Sequence, residues 1–229
     1  MNEAFIYDSI RSPRGKNKNG SLSQITPVDL LSKLMLALEK KYQLDTSLIN
    51  DVIIGCVMPV NDQGANIGKI AAQYSGWDVD IPSMQINRCC GSGLEAVNLA
   101  AMKIRSGWED LIVSGGIECM SRVPIGADGG PMAFETKVAS RTNYVPQGIG
   151  ADLIATIEGF TRRDLDAYAL MSQKRASEAI KNKRFRSLVP IYDQNDLLLI
   201  AEDEHVRPNT SLMQLSKLKP AFEKIGKNG

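Results

Sequence analysis

From Thr26 to Cys119 the chain alternates between two hydrophobic periods, and this restricts the fold more than any other feature. "ITPVDLLSKLMLALEKKY" reads as a helix, with Thr26 as N-cap, Pro27 in the first helical position and Leu30, Leu31, Leu34 and Leu38 along one face. "DVIIGCVMPV" is an apolar, β-branched run of strand length. "GANIGKIAAQYSG" is a small-residue helix ending at Gly76, and "SMQINRCC" is a second strand. "SGLEAVNLAAMKIRSG" is a helix with Leu94, Val97, Ala101 and Ile104 in register, and "DLIVSGG" is a further buried strand. Strands separated by single helices fit crossover connections, so the expectation is an α/β layered fold with a mainly parallel sheet up to about residue 119. Upstream, "AFIYDSIRSPRG" reads as a short strand ending in a Ser-Pro turn, followed by a loop marked by Gly15, Asn17, Asn19 and Gly20.

After Cys119 the texture changes. "SRVPIGADGGPMAFETKVASRTNYVPQG" is rich in Gly and Pro, has no long periodic stretch and reads as an excursion from the sheet. "ADLIATIEGF" is helical. The next helix is capped by Thr161 with Asp164 three residues on, and is striped by Leu165, Tyr168, Ala169, Ala176 and Ile180. "SLVPIYDQNDLLLIAEDEHVRPNTSL" reads as extended segments around an Asn-Asp turn, and "LSKLKPAFEKIGKNG" as an uncapped tail.

The 229 residues are 43% hydrophobic, enough for a substantial core, and 27 basic residues are nearly cancelled by 26 acidic ones. That balance argues against a nucleic-acid or anionic membrane-surface protein. No stretch approaches the roughly 18 apolar residues of a membrane span, and Glu3 and Asp8 stand where a signal peptide would be basic, so a cytoplasmic protein is expected. Cys56, Cys89, Cys90 and Cys119 form no C-x-x-C pair, and the one histidine, His205, is remote from them in sequence, so no metal site is expected.

Chemistry concentrates in "INRCCGSGLEAV", residues 86–97. A thiol is a nucleophile only as thiolate, and a helix N-terminus offers unpaired N–H groups and a partial positive charge to that anion. Cys90 stands directly before Gly91-Ser92-Gly93 and the helix, in the manner of a nucleophile elbow with sulfur in place of a serine oxygen. Position alone leaves a second reading open, in which both cysteines are small core residues at the end of a buried strand. Strand alternation would send Cys89 and Cys90 to opposite sides, leaving Cys90 on the pocket side and Cys89 as a packing neighbour.

With these residues in place, the chain resembles the thiolases, the acetyl-CoA acetyltransferases and 3-ketoacyl-CoA thiolases. The resemblance rests on Asn87-Arg88-Cys89-Cys90-Gly91-Ser92-Gly93-Leu94-Glu95-Ala96 and on "RSPRG", "GGIECMSRVP", "DAYALMSQKRA" and "HVRPNTSLMQLSKLKPAF", which run in family order over nearly the whole chain. It implies a thiolase-like α/β/α domain over residues 1–119 carrying the nucleophile, and a loop domain covering CoA over residues 120–229. Cys90 would carry the acyl group in a Claisen-type cycle, as condensation or as thiolysis of a 3-ketoacyl-CoA, with Gly91 and its neighbours supplying N–H groups to the thioester carbonyl. Arg207 matches the position of an arginine near the adenine-nucleotide end of CoA. Gln147 and Gly148 fall where many thiolases have His-Met-Gly along the pantetheine path, here Pro146-Gln147-Gly148.

The resemblance implies acyl-CoA and CoA as substrates with no further cofactor, and a homodimer or homotetramer with "SMQIN" as a dimer edge. It also places the family's catalytic histidine, second cysteine and asparagine-bound water beyond Gly229; His205 does not match that histidine, and Cys56 and Cys119 read as structural. The expectation is therefore the front part of a thiolase, lacking the C-terminal half, with a C-terminal partner chain as one way of completing it. The alternative is an inactive stand-alone fragment that binds acyl-CoA or complements a separate C-terminal chain.

Overall fold

β1 (Asp51–Gly55) is buried along its whole length: Val52, Ile53 and Ile54 are the apolar run of a central strand, and the buried Asp51 carboxylate pairs with the Lys103 ammonium. The computed structural model, which describes residues 2–223, pairs β1 in parallel with β2 (Ser83–Ile86) on one side and β3 (Ile112–Gly116) on the other. Side-chain alternation along β1 builds two cores. Val52 and Ile54 face α1 (Pro27–Tyr42) and α2 (Ile67–Tyr74), joining Leu31, Met35, Ile67, Ala71 and Trp77. Ile53 faces the opposite side and packs on Ala96 and Ala100 of α3 (Ser92–Ser106). The result is a three-layered α/β/α arrangement around a parallel sheet of order β2-β1-β3.

The helix signals hold. Thr26 Oγ1 accepts from the Asp29 N–H at 3.2 Å with Pro27 in the first turn, and α1 ends at Gln43 in the left-handed conformation. The strand expectations hold only in part. Residues 4–10 form no strand: Phe5, Ile6 and Tyr7 are exposed, and the segment pairs only at Arg11, through a single bridge to Leu188. β3 is half-buried, because it is an outer strand of the sheet, as β2 is on the other side.

The chain separates into two compact units, one comprising Met1–Asp128 with Ser187–His205, the other Gly129–Arg186 with the chain from Val206 on. This differs from a single cut at residue 119, since the second crossing returns to the first unit as a hairpin. β4 (Ile191–Tyr192) and β5 (Leu198–Ile200) are antiparallel around a turn in which Asp193 accepts from the Asn195 and Leu197 N–H groups. Ile191 and Ile200 pack on Ile25, Leu30 and Cys119. The Arg11 guanidinium donates two hydrogen bonds to Asp203, at 2.7 and 2.8 Å, and Asp203 also accepts from the Arg14 N–H.

In the second unit the Gly- and Pro-rich stretch contains two short helices, α4 (Pro131–Phe134) and α5 (Thr136–Thr142), too brief to leave a periodic signature. α6 (Gln147–Ile157) and α7 (Arg162–Lys181) follow, α7 with the anticipated Thr161–Asp164 capping box, and then α8 (Leu212–Leu215), capped by Ser211 and Gln214. Among the described residues this unit buries no apolar side chain fully; Leu165 and Tyr168 of the α7 stripe are exposed. The uncapped tail beyond Glu223 lies outside the described residues.

Arg11 holds the Asp203 carboxyl below its ordinary value of 3.8. A carboxylate favoured in the folded state contributes stability above its unfolded pKa and loses it as pH falls through the folded one. Thermal melts of Asp203→Asn should therefore show a loss of about 1–2 kcal/mol near neutral pH, and a gap from the parent that closes below about pH 4.

Candidate active site at the carboxyl edge of the sheet

Because all three strands run in parallel, their carboxyl ends share one edge, and the loops leaving that edge are where α/β folds place ligands. Backbone spacing there is set by glycine. A Cβ on Gly55, the last residue of β1, would collide with the Ser92 carbonyl carbon and oxygen and stand 2.5 Å from Gly93 N. A Cβ on Gly116, at the end of β3, would lie 3.1 Å from the Gly55 oxygen and 3.4 Å from Gly93 Cα. The first turn of α3 thus sits directly on the sheet edge, an approach no larger residue at 55 permits.

The turn that delivers the chain into α3 is held by hydrogen bonds. β2 ends at Ile86, and residues 87–91 form a tight turn. Asn87 Nδ2 donates to the Val57 carbonyl at 3.0 Å, while Asn87 Oδ1 accepts from the Cys89 N–H at 2.9 Å. Cys89 has φ +47°, in the left-handed region that a non-glycine residue enters only when its surroundings hold it there. Ser92, almost fully buried, donates its hydroxyl to the Cys89 carbonyl at 2.6 Å and accepts the Arg88 N–H at 2.9 Å. Arg88 also pairs with Glu95 of the first helical turn at 3.1 Å.

This geometry corrects three expectations. Cys89 and Cys90 are not on a strand, so alternation does not orient them. Both are exposed, which removes the core-packing reading for either; Cys89 contributes its backbone to the turn and does not act as a packing neighbour. The Gly91 N–H is engaged by the Arg88 carbonyl at 3.0 Å and cannot serve an acyl oxygen. From Arg88 to Glu95, the N–H groups of Cys90, Gly93 and Leu94 have no acceptor among the described residues, and α3 has no side-chain N-cap. An exposed thiol therefore stands at the open positive end of a 15-residue helix.

The other two cysteines are of a different kind. Burial, reinforced by the nearby Glu118 carboxylate, raises the Cys56 and Cys119 thiols to about 11. Sequence reasoning missed the group between them. Gln63, fully buried, donates from Nε2 to Glu118 Oε1 at 2.6 Å and to the Met58 carbonyl at 3.0 Å, and accepts the Cys119 N–H at 2.6 Å. Glu118 lies within "GGIECMSRVP", so the segment was singled out, but no local pattern distinguishes its role. Among the described residues no cluster of His, Cys, Asp and Glu could hold a metal. His205 is exposed with Nε2 3.2 Å from the Gly15 carbonyl oxygen.

The remaining candidates are in the second unit. Arg207 is exposed, its N–H donating to Gln173 Oε1 at 2.7 Å, and with Pro208, Asn209, Thr210, Gln214 and Leu215 it lines an open groove of about 440 Å³. Gln147 is exposed in the first turn of α6, behind Pro146 as N-cap. A Cβ on the next residue, Gly148, would strike the Phe222 ring, so a glycine there lets the helix meet that aromatic.

Residues 4–228 match the family model described as the thiolase N-terminal domain. A 3-ketoacyl-CoA thiolase of Shewanella loihica is 36% identical over 97% of the chain, one of Shewanella baltica 34% over 98%, and one of Pseudoalteromonas translucida 34% over 97%. The chain spans 58–59% of the length of these relatives. No described helix is long and apolar enough to cross a membrane.

Gly55→Ala should lower stability by about 1–3 kcal/mol in chemical denaturation, because the helix must back away from the sheet. Gly115→Ala, which has open space around its Cβ, should cost clearly less; equal losses would remove the close approach as the determinant of the elbow.

Proposed function

Since the chain belongs to the thiolase family, we propose that it is the nucleophile-bearing part of an acyltransferase that passes acyl groups to and from CoA through a thioester on Cys90. The observation that carries this reading is the exposed Cys90 at the uncapped N-terminus of α3, on the carboxyl edge of the parallel sheet. The Cys90 thiolate attacks the carbonyl of an acyl-CoA or 3-ketoacyl-CoA; a new C–S bond forms, and the bond to CoA sulfur, or to the α-carbon in thiolysis, breaks. The N–H groups of Cys90, Gly93 and Leu94 are the available donors for the oxyanion of that tetrahedral intermediate. Splitting the transfer into acylation and deacylation keeps the carbonyl activated between the two steps. No cofactor is required beyond the CoA thioesters, and the relatives' names favour 3-ketoacyl-CoA as the substrate class.

Arg207 suits the phosphates of CoA, since a guanidinium presents a fixed fork of donors, and its groove is open. Gln147 and Gly148 are assigned to the pantetheine arm. Thiolysis and condensation also need a proton taken from or returned to the leaving or attacking carbon. Cys56 and Cys119, buried and raised to about 11, are unsuited to that work. This supports a partial reaction by this chain, with turnover requiring the C-terminal thiolase half in the same polypeptide or as a partner. A homodimer or homotetramer with β2 as its edge belongs to the same reading.

Incubation with acetyl-CoA followed by peptide mass spectrometry should find one acetyl group on Cys90, abolished by Cys90→Ser and retained in Cys89→Ser; acetylation confined to Cys89 would overturn the assignment. Arg207→Ala should weaken capture of acetyl-CoA by roughly tenfold, the loss of one charge-assisted contact, and leave reaction with a short acetyl thioester lacking the nucleotide unchanged.

A further inference from the structure

The Glu118–Gln63 pair lies outside the acyl-transfer chemistry but connects to the nucleophile turn bond by bond. Glu118 Oε2 accepts the Val57 N–H at 2.8 Å; the carbonyl of the same residue accepts Asn87 Nδ2 at 3.0 Å; Asn87 Oδ1 accepts the Cys89 N–H at 2.9 Å. The other end is fixed just as firmly. The Cys119 N–H can only donate, so the Gln63 oxygen must face it and the Gln63 amide nitrogen must face Glu118. That polarity demands an acceptor at Glu118 and specifies a carboxylate with one oxygen for Gln63 and one for Val57. Three loops leaving the sheet edge, after β1, β2 and β3, are thereby tied together through one acidic side chain.

Cys89 needs such a tie. Its left-handed φ is unfavourable for a residue with a side chain, and the Asn87 bond to its N–H is one of the contacts that hold it. The Val57 N–H and carbonyl belong to successive peptide units joined at one Cα, so if the backbone at Val57 shifts when its N–H is released, Asn87 loses its anchor and the turn that aims Cys90 relaxes. We propose that Glu118 is a positioning residue for acyl transfer, acting through Val57 and Asn87 on the Cys89–Cys90 turn, with Gln63 as the buried clamp that orients its carboxylate. The role rests on the reading of Cys90 as the acyl carrier. Glu118→Gln is the informative substitution: it keeps size and the acceptor for Val57, but opposes an amide NH2 to that of Gln63.

The test follows iodoacetamide alkylation of Cys90 and Cys89 in the full chain across pH, resolved by fragment mass spectrometry, in the parent, E118Q, N87A and the double variant, with denaturation midpoints measured alongside. E118Q is expected to slow Cys90 relative to Cys89 by roughly tenfold, the scale of one hydrogen bond to a charged group, and to add nothing on the N87A background. A Cys90-to-Cys89 ratio that does not respond to E118Q while only the midpoint falls, or a ratio effect of E118Q that adds in full to that of N87A, would overturn the proposal. If E118Q does not melt cooperatively, E118D, too short to satisfy Val57 and Gln63 together, is judged by the same ratio and the same double-variant comparison. Alkylation needs no acyl-CoA, so the outcomes separate: no acetylation of Cys90 defeats the acyl-carrier reading, and an unresponsive ratio defeats the Glu118 role.

Discussion

The first turn of α3 rests on backbone, with no side chains between it and the ends of β1 and β3. Gly55 and Gly116 remove the Cβ atoms that would otherwise separate helix and sheet, and Gly93 meets them from the helix side. Everything chemical in the first unit follows from this contact. It places an uncapped helix terminus at the carboxyl edge of a parallel sheet, where strand ends, loops and helix N–H groups converge. The five residues between β2 and α3 must then turn sharply, and Cys89 takes up the turn with a left-handed backbone.

Holding that turn falls to polar groups that are poor candidates by themselves. Ser92 looks like a spacer between two glycines, yet its buried hydroxyl closes the loop between Arg88 and Cys89. Asn87 works with both ends of its amide, one on Val57 and one on Cys89. Glu118 and Gln63 tie the loop after β3 to the loop after β1. A buried amide satisfied at both ends is costly to disturb, which gives this edge a single arrangement.

The four cysteines show how surroundings divide one residue type. Cys56 and Cys119 are packed where burial disfavours the thiolate, and Cys119 belongs to the apolar cluster beneath the β4–β5 hairpin. Cys89 and Cys90 are exposed, at a turn whose neighbours are N–H groups. The first pair suits structure and the second pair chemistry, a division that follows from solvation and local dipoles.

The sequence by itself determined the alternation of strand and helix, the caps at Thr26 and Thr161, the turn at Asn195-Asp196 between extended segments and the placing of Cys90 before a helix, because each of these depends on residues within a few positions of one another. It misread the segment at residues 4–10, since strand formation needs a neighbour that local pattern cannot supply, and it carried β2 too far, since pairing with β1 stops at Ile86. Tertiary structure alone decided that the Gly91 N–H is engaged while those of Cys90, Gly93 and Leu94 have no acceptor among the described residues, that Ser187–His205 returns to the first unit, and that Glu118 reaches Val57 across 61 positions of chain. Those outcomes depend on which backbone groups the sheet brings within hydrogen-bond reach, and that distance is set only once the strands have paired and α3 has settled against Gly55.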